Sequence, residues 1–97
     1  MIALPDWVDA DLASEHGLTR RQLDILAGIA KGWTNTEIGR ALFLSDDTVH
    51  THAKALFKRL QVGNRAGAVA MAYDVGILRT RAMRVEWARA AGLRVVA

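Results

Sequence analysis

The side chains whose types and spacing best suit a binding or chemical function lie in segment 46–60. Its apolar residues recur every three or four positions, as on the buried face of a helix: Val49, Ala53, Leu56 and Leu60. The opposite face then carries polar and basic side chains: His50, Thr51, Lys54 and Lys58. Such groups donate hydrogen bonds to base edges and phosphates. Because the segment contains no acid after Asp47, we expect this face to contact nucleic acid.

Two capping boxes mark where the helices before this segment begin. Each pairs a threonine with Gln or Glu three residues later, so that side chain and backbone exchange hydrogen bonds: Thr19 with Gln22, and Thr34 with Glu37. The first box predicts a helix over 20–31, which Gly32 would end in a left-handed conformation. The second predicts a short helix over 34–43.

A tight turn at Leu44 and Ser45 joins this short helix to segment 46–60, and Ser45 can cap the helix that follows. A short helix, a tight turn and a longer helix make a helix-turn-helix unit, whose second helix enters the major groove of DNA. An ordinary helical hairpin has the same outline, so the geometry by itself leaves both interpretations open.

Three more helices are predicted, over 65–75, over 80–91, and from a cap at Asp6 through Glu15. Asn64 would cap the helix over 65–75, while Gly76 and Gly92 would end the two later helices. The basic helix over 80–91 has two alternative apolar seams: Val85 with Ala88, or Met83 with Trp87.

Composition limits the 97 residues to one small domain and excludes several classes of protein. Seventeen alanines favour helix, and the lack of cysteine excludes a disulfide scaffold and a Cys-ligated zinc site. No apolar run has the length of a membrane span, and the first residues lack the pattern of a signal peptide. We therefore expect a cytoplasmic protein, associated with the nucleoid through DNA, with no membrane partner.

The formal net charge of +3 is distributed unevenly along the chain. Residues 1–17 contain four acids and no Lys or Arg, whereas residues 79–97 contain five arginines and one acid. Arginine suits bidentate pairing with phosphate or carboxylate. The two ends could therefore bind each other, within one chain or between chains, with Trp7 and Trp87 pairing across them. Alternatively, the basic end could contact nucleic acid.

An ordered, ungapped set of residues runs through 18–78: Leu18-Thr19-x-Arg21, Ile25-Leu26, Gly32-x-Thr34-Asn35-x-Glu37-Ile38, Leu42-x-Leu44-Ser45, Thr48-Val49-x-x-His52, Leu60-x-Val62-x-Asn64-Arg65 and Ala68. This set closely resembles the LuxR-type (GerE-like) helix-turn-helix domain of bacterial transcription regulators. The resemblance implies an all-α fold with a four-helix domain over 18–78. Residues 1–17 form an acidic extension to that domain, and residues 79–97 form a basic extension.

The resemblance also implies a role for each matching position in a regulator that binds double-stranded DNA. Base contacts come from three residues of the third helix: His50, Thr51 and Lys54. Phosphate contacts come from the residues around them: Thr34, Asn35, Ser45, Thr48, His52, Lys58 and Arg59. The fourth helix would form a homodimer that reads an inverted repeat, through Arg65, Ala68, Val69, Ala72 and Tyr73.

Three positions depart from the family pattern. Gln22 replaces a usual Glu, so an ion pair to Arg65 would become at most a neutral hydrogen bond. His50 replaces a frequent Lys or Arg, and Ala55 replaces a frequent Asn, so the base preference is expected to differ. Most members carry a sensor domain before this one, and the 17 residues before Leu18 predict a stand-alone member.

Other functions are less consistent with the sequence. His50 and His52 lie two apart on a helix and point to different faces, so we expect no metal site and no cofactor. Asp46 and Asp47 are explained by the helix N-terminus, and we expect no enzyme and no small-molecule ligand. Trp33 is interpreted as packing at a turn rather than as a base-stacking platform.

Two alternative functions in transcription remain for this domain. One is a domain like region 4 of sigma factors, which binds promoter DNA and contacts RNA polymerase. The other is an adaptor that keeps the fold and binds protein instead of DNA. A DNA-binding domain would lose affinity steeply with salt, and an adaptor would not.

Overall fold

The computed structural model of the chain describes residues 4–93, apart from the side chains of Arg81, Arg84 and Trp87. Six helices follow one another in this part of the chain: α1 (Ala10–Glu15), α2 (Arg20–Ala30), α3 (Asn35–Leu42), α4 (Asp46–Leu60), α5 (Arg65–Asp74) and α6 (Arg81–Ala90). The helices predicted over 20–91 begin and end within one residue of these bounds. The predicted pairing of Trp7 with Trp87 lies outside the described side chains.

Side chains cap the beginnings of α2 to α5 at the predicted residues. In both capping boxes the threonine oxygen and the Gln or Glu oxygen accept the two expected backbone bonds, at 3.0 to 3.2 Å. Ser45 accepts from the amide of Thr48 at 3.2 Å, and Asn64 accepts from that of Gly67 at 2.8 Å. The local sequence signals therefore set where these helices begin.

The cap of α1 is a correction to the sequence analysis. Asp9, not Asp6, caps this helix, and its Oδ1 accepts from the amide of Leu12 at 2.9 Å. The amide of Asp9 itself donates to the carbonyl oxygen of Ile77 at 2.8 Å. This long-range bond holds Asp9 in an extended conformation, and the helix begins at the next residue, Ala10.

Residues 7–9 and 77–79 pair in an antiparallel arrangement that we call the terminal clasp. Val8 and Leu78 form an isolated bridge, and the amide of Arg79 donates to the carbonyl oxygen of Trp7 at 2.9 Å. The guanidinium of Arg79 also pairs with the carboxylate of Asp9. The acidic start and the first arginine of the basic end are thus in contact, as one of the two alternatives predicted.

The hydrophobic core lies where α2, α4 and α5 meet. The four predicted apolar residues of α4 are all buried: Val49, Ala53, Leu56 and Leu60. They pack with side chains of α2, α3 and the clasp that are also fully buried: Ile25, Leu26, Ile38, Ile77 and Leu78. Burying one face of α4 leaves its opposite face toward solvent.

Helix α6 follows the clasp, and among the described residues its backbone does not come close to that of helices α1 to α5. In this helix Val85 and Ala88 are half-buried, so that alternative apolar seam is partly covered. Met83 is exposed, and its predicted partner Trp87 lies outside the described side chains. None of the six described helices has the length and apolar character needed to cross a membrane.

Candidate nucleic-acid interface

The turn between α3 and α4 is tight, and Gly39 makes it possible. Phe43 ends α3 in the left-handed conformation, with φ 59° and ψ 42°. The amide of Leu44 then donates to the carbonyl oxygen of Gly39 at 2.8 Å. A side chain at position 39 would collide with the carbonyl oxygen of Leu44. The backbone of α3 and the turn therefore approach as closely as glycine allows.

A hydrogen bond also links the two helices across this turn. The hydroxyl of Thr36 donates to Oδ2 of Asp46 at 2.8 Å. Behind it, Ile38 of α3 and Val49 of α4 are both buried in the core. The two helices and the turn form a rigid helix-turn-helix unit that fixes how α4 is presented.

The outward face of α4 carries the predicted contact residues. The side chains predicted to point outward are all exposed: His50, Thr51, Lys54 and Lys58. The hydroxyl of Thr51 donates to the carbonyl oxygen of Asp47 at 3.0 Å, so it offers its oxygen and methyl group to a partner rather than its proton. His50 and Lys54 are thus the outward donors of the predicted base-contact set.

Two hydroxyls at the N-terminus of α4 share one hydrogen-bond arrangement. The hydroxyl of Ser45 donates to that of Thr48 at 2.9 Å, and Ser45 accepts from the backbone amide of Thr48. The proton of Ser45 is therefore engaged, whereas the hydroxyl proton of Thr48 is available. Of these two predicted phosphate contacts, Thr48 is the better donor in this arrangement.

The N-terminus of α3 combines Thr34 with a carboxylate, Glu37. The hydrogen bond from the backbone amide of Thr34 lowers the pKa of Glu37 below its ordinary value. The hydrogen bond from the Thr34 side chain lowers this pKa further, desolvation acts in the opposite direction, and the positive charge of Arg40 adds the smallest lowering effect. Glu37 is fully exposed and stays ionised at neutral pH as part of the cap.

Asn35, the first residue of α3, is held by a residue of α5. Nη1 of Arg65 donates to Oδ1 of Asn35 at 2.7 Å, and Nη2 of Arg65 donates to the carbonyl oxygen of Trp33. The side-chain oxygen of Gln22 does not accept from Arg65, because it accepts from the backbone amide of Thr19. The sequence analysis missed the bond between Asn35 and Arg65, which joins residues 30 positions apart.

Two residues of the predicted dimer set are buried inside the protomer, and a third forms hydrogen bonds within it. Ala68 and Ala72 are buried in the core, which corrects the expectation that they lie on a dimer surface. Arg65 is half-buried and engaged with α3. Val69 and Tyr73 are half-buried, so they are the members of the set with accessible surface.

Two predicted phosphate contacts lie away from the N-terminus of α4. Arg59 is exposed near the other end of the helix, where its guanidinium lies against Gly17. His52 is half-buried, unlike the fully exposed His50. The bond from Thr36 to Asp46 holds the first turn of α3 beside the N-terminus of α4, whereas Arg59 lies near the other end of α4.

Trp33 packs at the turn between α2 and α3, as interpreted from the sequence. Its half-buried ring packs against the core, close to Gly28, and the ammonium group of Lys31 lies 4.5 Å from the ring centroid. Such a cation–π contact stabilises the ring in place. Phe43, in contrast, is 94% exposed at the tip of the turn, a feature that the sequence analysis did not anticipate.

No group of three or more His, Cys, Asp or Glu side chains suited to a metal ion occurs within residues 4–93. The outward face of α4 carries hydrogen-bond donors and cations after Asp47. A short helix, a tight turn and a longer helix that presents such a face define the class of helix-turn-helix domains.

Comparison with known proteins identifies the family within this class. Residues 16–72 match the model of "Bacterial regulatory proteins, luxR family". The chain therefore belongs to the luxR family, and the predicted all-α, LuxR-type helix-turn-helix fold is confirmed.

Several curated bacterial proteins are similar to this chain. The probable transcriptional regulatory protein SgaR of Hyphomicrobium methylovorum is 42% identical over 73 residues, covering 72% of this chain and 34% of SgaR. The putative HTH-type transcriptional regulator YhjB of Escherichia coli is 43% identical over 75 residues, covering 73% of this chain and 38% of YhjB. The chain thus spans a little over a third of the length of these relatives.

Proposed function

We propose that the chain is a transcription regulator that binds double-stranded DNA by inserting the N-terminal part of α4 into the major groove. The observation that carries this proposal is the exposed face of α4, on which basic and polar side chains follow Asp47 without an acid. Family membership supports it, because relatives such as SgaR and YhjB are named as transcriptional regulators. This family is not an enzyme family, and the proposal needs no cofactor.

The proposed base contacts are His50, Thr51 and Lys54. Lys54 can donate to the acceptors of guanine, and His50 can donate from a ring nitrogen. Thr51 would use its methyl group and oxygen, since its proton is bonded to Asp47. A thymine methyl group beside an exocyclic amine would match that pair of groups.

The proposed phosphate contacts surround the two helix N-termini. Asn35 and Thr48 retain side-chain donors that can be directed outward, whereas the hydroxyl of Thr34 also bonds Glu37. The positive ends of the α3 and α4 dipoles favour phosphate at the same place. Ser45 and His52 lie beside them, whereas Lys58 and Arg59 would meet a phosphate further along α4. These contacts would set the register of α4 without reading sequence.

We also propose that the chain binds an inverted repeat as a homodimer through α5. The buried positions of Ala68 and Ala72 direct the opposite side of α5 outward. That side carries exposed or half-buried residues of small or apolar character: Ala66, Val69, Ala70 and Tyr73. Two copies related by a two-fold axis would then place their α4 helices in successive major grooves.

Selection of bound duplexes from a random DNA pool tests this proposal. We expect an enriched sequence with two-fold symmetry, whose half-sites lie about one helical turn apart. Enrichment of a single half-site would retain DNA binding and reject the dimer. Failure to enrich any sequence, together with salt-independent binding to RNA polymerase, would favour the adaptor instead.

A further inference from the structure

Arg65 connects the start of α5 to the N-terminus of α3. Its two terminal nitrogens donate to Oδ1 of Asn35, at 2.7 Å, and to the carbonyl oxygen of Trp33. Thr34 is the N-cap of α3, so these two acceptors lie on either side of the cap. One guanidinium group therefore holds the backbone before the cap and the first side chain after it.

The chemistry of Arg65 determines how the Asn35 amide is oriented. A guanidinium group has five donors and no acceptor, so only the oxygen of Asn35 can face it. The oxygen and nitrogen of a carboxamide point in different directions, and the NH₂ group of Asn35 is therefore directed away from Arg65. Within the described part of the chain, no hydrogen bond to another residue engages this NH₂ group.

The partners of Arg65 are both neutral. Among residues 4–93, no carboxylate forms an ion pair with its guanidinium. The half-buried cation therefore keeps its full positive charge beside the NH₂ group of Asn35. An anion that accepts from Asn35 would gain from this charge as well.

We propose that Arg65 is a positioning residue for DNA binding, which holds the Asn35 amide so that its N–H donors face a phosphate. This inference rests on the proposed function, in which Asn35 contacts the DNA backbone. Arg65 acts through Asn35 and does not itself have to touch DNA. Its role is therefore internal to the protomer rather than part of the α5 surface.

The substitution Asn35→Asp separates this role from a structural one. A carboxylate at position 35 can still accept from Arg65, as an ion pair, and the melting temperature should not fall. It offers no N–H donor, and its charge repels phosphate. We expect the affinity for a random-sequence DNA duplex, measured by fluorescence anisotropy, to fall about tenfold or more.

Gln61→Glu is the matched control, because it adds the same charge at an exposed position beyond the C-terminus of α4. Its affinity should fall less than that of Asn35→Asp. Equal affinities for the two variants would overturn the proposal.

A double-mutant cycle tests whether Arg65 acts through Asn35. Arg65→Met keeps an apolar stem and removes every donor, and Asn35→Ala removes the amide. We expect Arg65→Met to weaken binding several-fold in the wild-type background and to add nothing in the Asn35→Ala background. Additive losses would overturn the proposal. If Arg65→Met fails to fold, the comparison of Asn35→Asp with Gln61→Glu decides the question.

The wild-type chain provides the reference that separates this inference from the proposed function. If the wild type does not bind the duplex, the proposed function fails and the inference fails with it. If the wild type binds with a salt-dependent affinity and Asn35→Asp binds equally well, the phosphate contact of Asn35 and the role of Arg65 are both rejected, and DNA binding through α4 still stands.

Discussion

The hydroxyl of Thr36 donates a 2.8 Å hydrogen bond to the carboxylate of Asp46, across the turn that separates α3 from α4. Both residues are exposed, yet the bond ties the first turn of one helix to the first residue of the next. Together with the bond from Leu44 to Gly39, it determines the direction in which α4 leaves the turn. The presentation of the proposed DNA-contacting face therefore depends on contacts within the helix-turn-helix unit.

Removing this bond should destabilise the domain modestly. We expect Thr36→Val to lower the free energy of unfolding by about 0.5–1.5 kcal/mol, as measured by urea denaturation. The same substitution should cost less in an Asp46→Ala background, where the acceptor is absent. An equal cost in both backgrounds would show that the bond does not stabilise the fold.

Gly39 should be intolerant of even the smallest side chain. We expect Gly39→Ala to lower the free energy of unfolding by about 1–3 kcal/mol, because the added methyl group meets the carbonyl oxygen of Leu44. Gly63→Ala is the control, since a methyl group there meets no atom within 4 Å. Equal stability of the two variants would contradict the close approach of α3 and the turn.

The left-handed conformation of Phe43 should cost the protein stability. Its side chain is 94% exposed, so little burial offsets the steric cost of φ 59°. We expect Phe43→Gly to be about 1 kcal/mol more stable than Phe43→Ala, which keeps the β-carbon that causes the cost. Thermal melts of the two variants would measure this difference, and a Gly variant no more stable than the Ala variant would argue against the strain.

The cap of α3 should make stability depend on pH through Glu37. The folded-state pKa of Glu37 lies below its ordinary value, so its ionised form stabilises the fold at higher pH. This contribution is lost as the pH falls below the ordinary value of about 4.3 and through the folded-state pKa. Glu37→Gln can keep the capping box without titrating, and its stability should fall less over this range in urea titrations. Parallel pH profiles for the variant and the wild type would rule out this role.

Local signals in the sequence predicted most of the fold. The capping boxes at Thr19 and Thr34 act over three residues, and the apolar repeat of α4 is set by the period of the helix. These interactions do not depend on the rest of the chain. They were therefore predicted with boundaries correct to one residue.

Long-range contacts account for what the sequence analysis missed. Asp9 caps α1 because residues 7–9 pair with residues 77–79, and this pairing has no local signal. The bond between Arg65 and Asn35 likewise depends on how α5 packs beside α3.

Which face of α5 is buried could likewise not be predicted from the local sequence. This helix is built largely of Ala, Gly and Val, so no sharp polar face indicates which side is buried. The structure turns Ala68 and Ala72 inward, whereas the sequence analysis assigned both to a dimer surface.

The affinity of the chain for its selected duplex at increasing salt tests the central claim most directly, with Lys54→Ala and Arg20→Ala measured beside the wild type. Arg20 lies at the start of α2, outside the helix-turn-helix unit, where it pairs with Asp24, so its variant removes one positive charge away from the proposed interface. We expect the wild-type affinity to fall roughly 10³–10⁵-fold between 50 and 200 mM salt if 6–10 phosphates are contacted. We expect Lys54→Ala to cost about 1–3 kcal/mol at the selected site, well above the cost of Arg20→Ala. A salt-independent affinity, with equal effects of the two substitutions, would contradict DNA binding through α4.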